Sequence, residues 1–442
     1  MKERFRTTKY AAIVFKTPEN ELAEWFGYYN YDPLDSSHDR LLVHRANFDG
    51  RHITETDIVE IGYYNINSGE WTSLGKTDSF NWQQGSMLQW LPSDCDKVIY
   101  NLSDNKNYKS RVIDIKNKEC RDFDFPIYGI GPSGEYALSL DYKRLYWCRA
   151  YHYQPIQDPD YDGRIKKGDG IFKLDLKTGK VSLLLPIDRI VEFDPDDDFD
   201  QAKHWLEHIM ISPDGKRFAF LHRFSYGNVM SYSTRLFICD TDGSNLQIVK
   251  DWRKYGWSHF GWCGNSAFAI YTYIAPKVGR LEVKPGVAPE KNLKHKFLRL
   301  IKSTAKAIIP RACLNKIVGK TSYYQFYKIS SSGNCYLERT LAGGYFKIDG
   351  HPSFTYDGNY MITDTYPDNN GWQRLLIYNM STGKQLELAS FEAPLKGNPA
   401  SCDLHPKLSR DNQYVTVDTA HSGLHQMFVF KLEWDRIKSV IG

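Results

Sequence analysis

The sequence predicts an all-β protein, a seven-bladed β-propeller with a basic helical insertion in blade five. Three observations lead to this fold class: strand–turn–strand segments repeat along the 442 residues, a histidine recurs in one register in four of the repeats, and aromatic residues make up 14% of the chain. Aromatic side chains are enriched in strands because they pack well on pleated surfaces. With 41% hydrophobic residues, the chain can also bury a large core.

The repeat is clearest when the segments are aligned on the recurring histidine. An apolar strand begins nine residues after it, with a polar turn before that strand, in the segments that start at His208, His259, His351 and His405. Two more segments, which start at Gln89 and Ile127, keep this register without a histidine. The turns are rich in Gly, Asp, Asn and Ser, as tight hairpins require.

Further strand pairs complete most of the units, for example at 235–249 and 375–389. Four antiparallel strands in a unit of about 40–60 residues are typical of a propeller blade. We therefore predict one propeller domain over residues 1–442, with blades at 22–80, 86–122, 125–186, 205–250, 257–340, 348–390 and 400–435.

Charge and cysteine content limit the classes of function. A net charge of +4 gives no indication of nucleic-acid binding. The eight cysteines show no C-x-x-C spacing, which favours a reducing compartment. No apolar run has the length of a signal peptide or of a membrane span. We expect a soluble, cytoplasmic protein.

The recurring histidines predict a site at one mouth of the central channel, because equivalent positions of the innermost strands form a ring around the axis. Such a ring can bind a metal ion, transfer protons, or bond neighbouring blades together. Cys402 and Asp403 adjoin the last histidine. Three histidines with a thiolate or carboxylate suit Zn²⁺ or Mn²⁺. The predicted metal ligands are His259, His351, Cys402 and His405.

Several segments resemble the oligogalacturonate-lyase-like propellers, namely 81–92, 208–224, 350–368 and 402–430. That group is similar in fold to the ulvan lyases, and the segments also resemble proteins encoded among bacterial surface-polysaccharide genes. The resemblance implies cleavage of uronate-containing glycans by β-elimination, with a metal at the channel mouth and His208 as the Brønsted base. The family's last-blade motif offers further His and Gln residues. This chain has "ASCDLHP" there, so Cys402 or Asp403 must complete the metal site.

β-Elimination removes the C5 proton of a uronic acid and expels the C4 oxygen, so the negative charge of the carboxylate must be neutralised by a metal or by arginines. Histidine suits the base near neutral pH. The predicted catalytic residues are His208, His222, Arg223, Arg235, Tyr142 and Arg144. The predicted substrate-binding residues are His44, Arg45, Gln89, Tyr146 and Tyr366.

The segment 276–320 in blade five has twelve Lys or Arg residues and two Glu residues. Apolar side chains at helical spacing predict an amphipathic helix over 291–309, which Pro310 ends. A basic amphipathic helix can lie on an anionic membrane, or contact an acidic glycan or a protein, or pack on the propeller rim. In polysaccharide assembly, this helix would place the protein at the inner membrane surface.

The leading hypothesis is a polysaccharide or oligosaccharide lyase that acts on an acidic, uronate-containing glycan, with a metal or arginines neutralising the substrate. The alternative is a non-catalytic propeller that binds a glycan or a protein in surface-polysaccharide biosynthesis and holds a structural metal.

Overall fold

The protein is a propeller of seven antiparallel sheets, which contain four or five strands each. Sheets that follow one another along the chain are in contact. The predicted all-β, seven-bladed fold class is confirmed, whereas the predicted helical insertion at 276–320 lies outside the described residues. The computed structural model describes residues 4–148, 153, 156, 158–227, 229, 232–249, 252–274, 322–330, 333–394 and 401–442.

Two short strands, β1 (Phe5–Thr7) and β2 (Ala11–Lys16), precede blade one. Blade one contains β3 (Ala23–Trp25), β4 (Arg40–Ala46), β5 (Val59–Asn65) and β6 (Trp71–Thr77). Blade two contains β7 (Gln89–Leu91), β8 (Asp94–Ser103), β9 (Tyr108–Asp114) and β10 (Cys120–Phe123). Blade three contains β11 (Gly129–Ile130), β12 (Tyr136–Ser139), β13 (Gly170–Asp175) and β14 (Val181–Pro186).

Blade four contains β15 (Lys203–Ile211), β16 (Arg217–Ser225), β17 (Ser233–Asp240) and β18 (Gln247–Ile248). Blade five contains β19 (Tyr255–Trp262), β20 (Ala267–Ile274), β21 (Ser322–Ile329) and β22 (Cys335–Leu341). Blade six contains β23 (Ser353–Phe354), β24 (Tyr360–Asp364), β25 (Trp372–Asn379) and β26 (Gln385–Glu392). Blade seven contains β27 (Lys407–Leu408), β28 (Tyr414–Thr419) and β29 (Gln426–Leu432).

The ring is closed by strands from opposite ends of the chain. β2 pairs antiparallel with β29 and becomes the fourth strand of blade seven, and β1 pairs with β26 as a fifth strand of blade six. Blade seven therefore cannot open without breaking a ladder of backbone hydrogen bonds. The sequence-based boundaries begin at residue 22 and omit these two strands, because a strand that completes a distant blade has no partner nearby in the sequence.

The core lies between neighbouring blades and is rich in aromatic rings. Trp25, Trp205 and Trp257 are buried. In blade four, Phe220 and Phe237 stack with their ring centroids 5.4 Å apart. Such pairs contribute about 0.5–1.5 kcal/mol beyond the burial of their area. Packing within and between blades thus accounts for much of the aromatic content that the sequence shows.

The described residues contain three short α-helices, α1 (Tyr142–Cys148), α2 (Ile187–Val191) and α3 (Trp434–Ile441). The last helix buries Ile437 and Ile441 against the core of blades six and seven. In the described ranges, no helix has both the length and the apolar character that a membrane crossing requires.

The connection between β3 and β4 fills the central channel with tyrosines. Tyr28 and Tyr29 are buried. The Tyr29 hydroxyl donates to the Phe260 carbonyl in blade five at 2.8 Å, and the Tyr31 hydroxyl donates to the Tyr128 carbonyl next to blade three at 2.7 Å. Contacts with blades so far apart in the chain require an axial position. This segment packs in the channel beneath the recurring histidines.

Candidate active site at the channel mouth

The structure brings the four recurring histidines together around the axis. The ring centroids of His208 and His259 are 6.4 Å apart, those of His259 and His351 are 4.0 Å apart, and those of His351 and His405 are 4.2 Å apart. The centroid of the Tyr29 ring lies 5.0 Å from that of His351, 6.0 Å from that of His259 and 5.9 Å from that of His405. Four blades therefore each contribute one imidazole to a shared opening.

Backbone irregularities direct these side chains toward the axis. The β15 register shifts between Glu207 and Met210, and the β19 register shifts between Trp257 and Phe260, so each shift contains one of the histidines. A β-bulge of this kind re-aims a side chain. His208 (φ 55°) and His405 (φ 44°) also lie in the left-handed region, which costs a non-glycine residue about 1–3 kcal/mol. Such strain is concentrated at functional sites.

A carboxylate lies behind each of three histidines. His351 Nδ1 is 3.0 Å from both oxygens of Asp364, and His259 Nδ1 is 3.2 Å from Asp349 Oδ1. His208 Nδ1 is 3.3 Å from a carboxylate oxygen of its neighbour, Glu207. With Nδ1 held in this way, Nε2 is the nitrogen that points away from the carboxylate. Metal-ligating histidines and catalytic bases are oriented by the same arrangement.

His351 has a buried ring nitrogen that is available to a ligand. The residue is fully buried, and its Nε2 has no hydrogen-bond partner among the described residues. Burial disfavours the charged ring, but the contact with Asp364 outweighs it and raises the pKa of His351. A buried polar group without a partner costs about 1–3 kcal/mol. A cation bound at Nε2 would remove this cost.

Asp403 and His405 complete a group of potential metal ligands with His351. One ligand atom from each lies within 4.8 Å of the others. Burial raises the pKa of Asp403 to about 6, and the Gln83 side chain hydrogen-bonds this carboxylate. Asp364 links the group, because its second oxygen accepts the His405 backbone N–H at 3.2 Å. Nitrogen and carboxylate donors at this spacing fit Zn²⁺ or Mn²⁺.

The two other predicted ligands lie beside this group. The His259 ring contacts the His351 ring, while Asp349 holds its Nδ1. Cys402 is buried, and its thiol lies 3.7 Å from the Asp403 carbonyl oxygen. Burial raises the pKa of this thiol well above its usual value. The sequence left Cys402 and Asp403 as alternatives and placed Cys402 among the predicted ligands; in the described part of the chain, the group contains Asp403.

The blade-four side of the mouth contains a base and a guanidinium. Burial lowers the pKa of His208 to about 4, so its imidazole is neutral at neutral pH. The His208 backbone N–H donates to the Tyr128 hydroxyl at 3.0 Å. Arg223 Nη1 lies 3.1 Å from Glu207 Oε2, and the guanidinium covers the exposed Tyr232 ring at 4.5 Å. A neutral imidazole and an arginine thus lie side by side.

Among the described residues, carboxylates outnumber the positive groups around the ring of histidines. The positive groups are Arg223 and Lys407, and Lys407 is paired with Asp418. The carboxylates that contact the ring of histidines or their partners are Glu207, Asp349, Asp364 and Asp403. An anionic sugar would be repelled by this arrangement unless a divalent cation were also bound.

His222 and Arg235 lie inside blade four, away from the mouth. Arg235 donates to His222 Nδ1 at 2.9 Å and to the carbonyls of Ile190, Phe193 and Asp194. His222 Nε2 contacts His204 Nδ1 at 2.9 Å. These bonds tie β16 and β17 to the 187–201 connection, and the predicted catalytic roles of His222 and Arg235 have no support from their position.

Tyr142, Arg144 and Tyr146 belong to α1. The Tyr142 hydroxyl donates to the Ile127 carbonyl at 2.8 Å. The buried guanidinium of Arg144 donates to backbone carbonyls, including those of His204 and Gly163. Tyr146 is half-buried against Trp147. None of these described contacts joins the three residues to the four histidines.

Three of the predicted substrate-binding residues are bonded to neighbouring parts of the fold. His44 Nε2 accepts the Ser86 N–H at 3.0 Å, and Gln89 donates to the Met87 carbonyl at 3.0 Å. Arg45 is paired with Glu24 at 2.9 Å. Tyr366, in contrast, lies at the mouth, with its ring centroid 6.0 Å from that of His351 and 6.1 Å from that of His259.

The sequence predictions omitted Glu207, Asp349, Asp364 and Tyr29. A signal for Asp364 was present, because "ITDT" and "VTVDT" both place Asp thirteen residues after the histidine, at Asp364 and Asp418. The second of these carboxylates instead pairs with Lys407 at 2.8 Å and accepts the N–H of Gly27. The repeated Asp therefore marks a buried position of the blade, and its partner differs from one blade to the next.

The chain is similar in fold to two oligogalacturonate lyases of known structure. One, in complex with manganese, is 15% identical, with a TM-score of 0.62, over 98% of this chain and 96% of that chain. The other, from Vibrio parahaemolyticus, is 13% identical, with a TM-score of 0.58, over 97% and 96%. The predicted resemblance is confirmed at the level of the fold. No protein-family model and no curated protein matches the chain.

Proposed function

We propose that the channel mouth is the active site of a lyase that cleaves a uronic-acid-containing glycan by β-elimination, with the help of a divalent cation. The observation that carries this proposal is the ring of histidines, three of them oriented by carboxylates, with His351 Nε2 left without a described partner. The likeness in fold to a manganese-bound oligogalacturonate lyase supports it.

The cation would be held by His351, Asp403 and His405, whose ligand atoms are already close together. When bound, it supplies positive charge that neutralises the substrate carboxylate and lowers the cost of the developing negative charge at C5. Asp364 fixes the orientation of His351, and Tyr29 supports the histidines from below. Zn²⁺ and Mn²⁺ both suit these donors, and the manganese-bound neighbour favours Mn²⁺.

The residues that would carry out the elimination lie on the blade-four side of the mouth. His208 Nε2 takes the proton from C5, the freed electron pair forms a double bond between C4 and C5, and the C4–O bond breaks. The leaving oxygen takes a proton from water, and the His208 imidazolium returns its proton to the solvent. Arg223 donates hydrogen bonds to the uronate carboxylate, and Tyr366 contacts the sugar from the metal side. A positioned base of this kind contributes about 10²–10⁴-fold to a rate.

Substrate binding should depend on the metal, because the carboxylates around the ring of histidines outnumber the positive groups among the described residues. Without the cation, an acidic oligosaccharide would approach Asp349 and Asp403, with the buried Asp364 behind His351. A propeller that only recognised an acidic glycan would need an excess of positive charge instead. The charge distribution therefore favours the metal-assisted enzyme over a simple anion-binding module.

The proposal is tested by incubating the metal-loaded protein with oligogalacturonate and with other uronate oligosaccharides, and by following the ultraviolet absorbance of an unsaturated product. Chelation should abolish the product, and addition of Mn²⁺ or Zn²⁺ should restore it. Metal-dependent binding of these sugars without any product would favour the alternative, a glycan-binding propeller. The basic segment 276–320 is outside the described residues, and its contact with an anionic membrane or a partner stays a prediction from its charge.

A further inference from the structure

Glu207 is a buried carboxylate that joins three functional groups of blade four. Its Oε1 accepts the Trp205 indole N–H at 2.7 Å. Its Oε2 lies 3.3 Å from His208 Nδ1 and 3.1 Å from Arg223 Nη1. The side chain of Glu207 is 2% exposed, so these contacts act in a low dielectric and are little screened by water. Nothing in the sequence patterns of the repeat singled out this residue.

We propose that Glu207 is a positioning residue, which keeps the His208 proton on Nδ1 and leaves the Nε2 lone pair open to the channel mouth. His208 Nδ1 is buried and makes no hydrogen bond among the described residues, but Glu207 Oε2 lies 3.3 Å from it. Attraction to this carboxylate oxygen favours a proton on Nδ1. An imidazole with a carboxylate behind Nδ1 has its second nitrogen free to accept a proton.

Arg223 gives the buried Glu207 carboxylate a positive partner. Burying a carboxylate is costly unless it is paired with a positive group. The guanidinium supplies that partner at 3.1 Å. Trp205 fixes the rotation of the carboxylate by occupying the other oxygen. Glu207 thus places the base and the neutralising arginine at a fixed separation. This inference extends the proposed function, and it rests on that function for the role of His208.

The tautomer of His208 can be measured directly by NMR of the full-length, metal-loaded protein with ¹⁵N-labelled histidine. The His208→Gln variant identifies the His208 signals by their loss. In the wild type we expect a protonated Nδ1 and an unprotonated Nε2. In Glu207→Gln we expect a mixture of tautomers or a proton on Nε2. The Asp35→Asn variant is the matched control, since it removes another buried carboxylate paired with an arginine, at 2.5 Å from Arg40, and should leave the tautomer unchanged.

Kinetics supply the second measurement. Glu207→Gln should lower kcat at least tenfold and change KM less than threefold, with the metal content unaltered. In a His208→Ala background the same substitution should cause no further loss of kcat, because Glu207 acts through His208. A residue needed only for folding would lower kcat by the same factor in both backgrounds.

Different results would contradict the inference about Glu207 and the proposed lyase function. A wild-type His208 with its proton on Nε2 would overturn the inference, even if Glu207→Gln does not fold. Additive effects of the two substitutions would overturn it as well. A Glu207-dependent tautomer in a protein that forms no unsaturated product from any uronate would support the inference about Glu207 and contradict the proposed lyase function.

Discussion

The histidines at the channel mouth and those inside blade four differ in what their ring nitrogens contact. In blade four, Arg235 donates to His222 Nδ1, so the proton of His222 must be on Nε2, which donates to His204 Nδ1. The remaining nitrogen of His204 donates to the Phe199 carbonyl at 2.7 Å. Every ring nitrogen of this pair is thus used inside the protein, and both rings are neutral.

At the channel mouth the Nδ1 atoms of His208, His259 and His351 lie next to carboxylates, whereas the His405 ring bonds the Gly27 backbone. Asp364 contacts His351 Nδ1, while Nε2 of the same ring has no described partner. His204 and His208 are four residues apart on the same strand, and yet they belong to the two different groups. The comparison indicates that the surroundings of a histidine, rather than its strand, decide whether it supports the fold or faces a ligand.

The substitution expected to have the largest effect is His208→Ala. We expect kcat for the unsaturated product to fall about 1,000-fold, because a positioned base is lost. The free energy of unfolding and the metal content should change little, since His208 makes no ligand contact in this account. Product formation at the wild-type rate would remove His208 from the role of base and weaken the distinction between the two groups.

His222→Leu should have the opposite profile. It leaves the Arg235 Nε and His204 Nδ1 without partners in a buried setting, which should lower the free energy of unfolding by about 3 kcal/mol. Chemical denaturation measures this loss, and metal analysis of the folded fraction should show no change. If His222→Leu removed the metal or the activity while stability stayed constant, blade four would be part of the site.

Asp364→Asn tests the carboxylate behind His351. A carboxylate that bonds one nitrogen of a histidine orients the ring and makes the other nitrogen a better metal ligand. Without it, we expect the affinity for Mn²⁺ to fall about 10–100-fold in calorimetry. The matched control is Asp57→Asn, whose carboxylate pairs with Arg51 at 2.7 Å in blade one. Equal Mn²⁺ affinities in the wild type and Asp364→Asn would contradict a metal bound at His351.

The pH dependence of stability should show the smallest effect. Burial lowers the pKa of His204 to about 4, whereas an unfolded histidine titrates near 6.5. Below that value the unfolded chain binds the additional proton, so the free energy of unfolding should fall as the pH drops. For His204 the loss amounts to about 2 kcal/mol between pH 6.5 and 5.

His204→Gln checks this sign, because a glutamine amide can accept from His222 and donate to the Phe199 carbonyl without titrating. Its free energy of unfolding should depend less steeply on pH than that of the wild type over the same interval. Parallel pH profiles for the two proteins would show that His204 is not held neutral by burial.

The fold was predictable because its signal is periodic. The spacing of nine residues from each histidine to its next strand located the innermost strands and placed His208, His259, His351 and His405 at one opening. Closure by β1 and β2 was not predictable, since these strands pair with strands close to the other end of the chain.

The details of the site were harder to predict for a physical reason. Asp364 and Asp418 occupy the same position of the repeat, yet one holds His351 and the other pairs with Lys407. Arg223 lies at the end of one apolar strand and Arg235 at the beginning of the next, yet one lies at the mouth and the other inside the blade. These differences arise from side-chain packing between blades, which a single sequence does not specify.

Anomalous diffraction from crystals of the protein soaked in Mn²⁺ tests the central claim most directly, because it locates the metal without reference to activity. A peak is expected at the channel mouth, about 2.0–2.2 Å from His351 Nε2 and from oxygen or nitrogen atoms of Asp403 and His405. The peak should be absent in His351→Ala. A fully loaded protein with its manganese elsewhere, or with no peak near these three residues, would contradict the account.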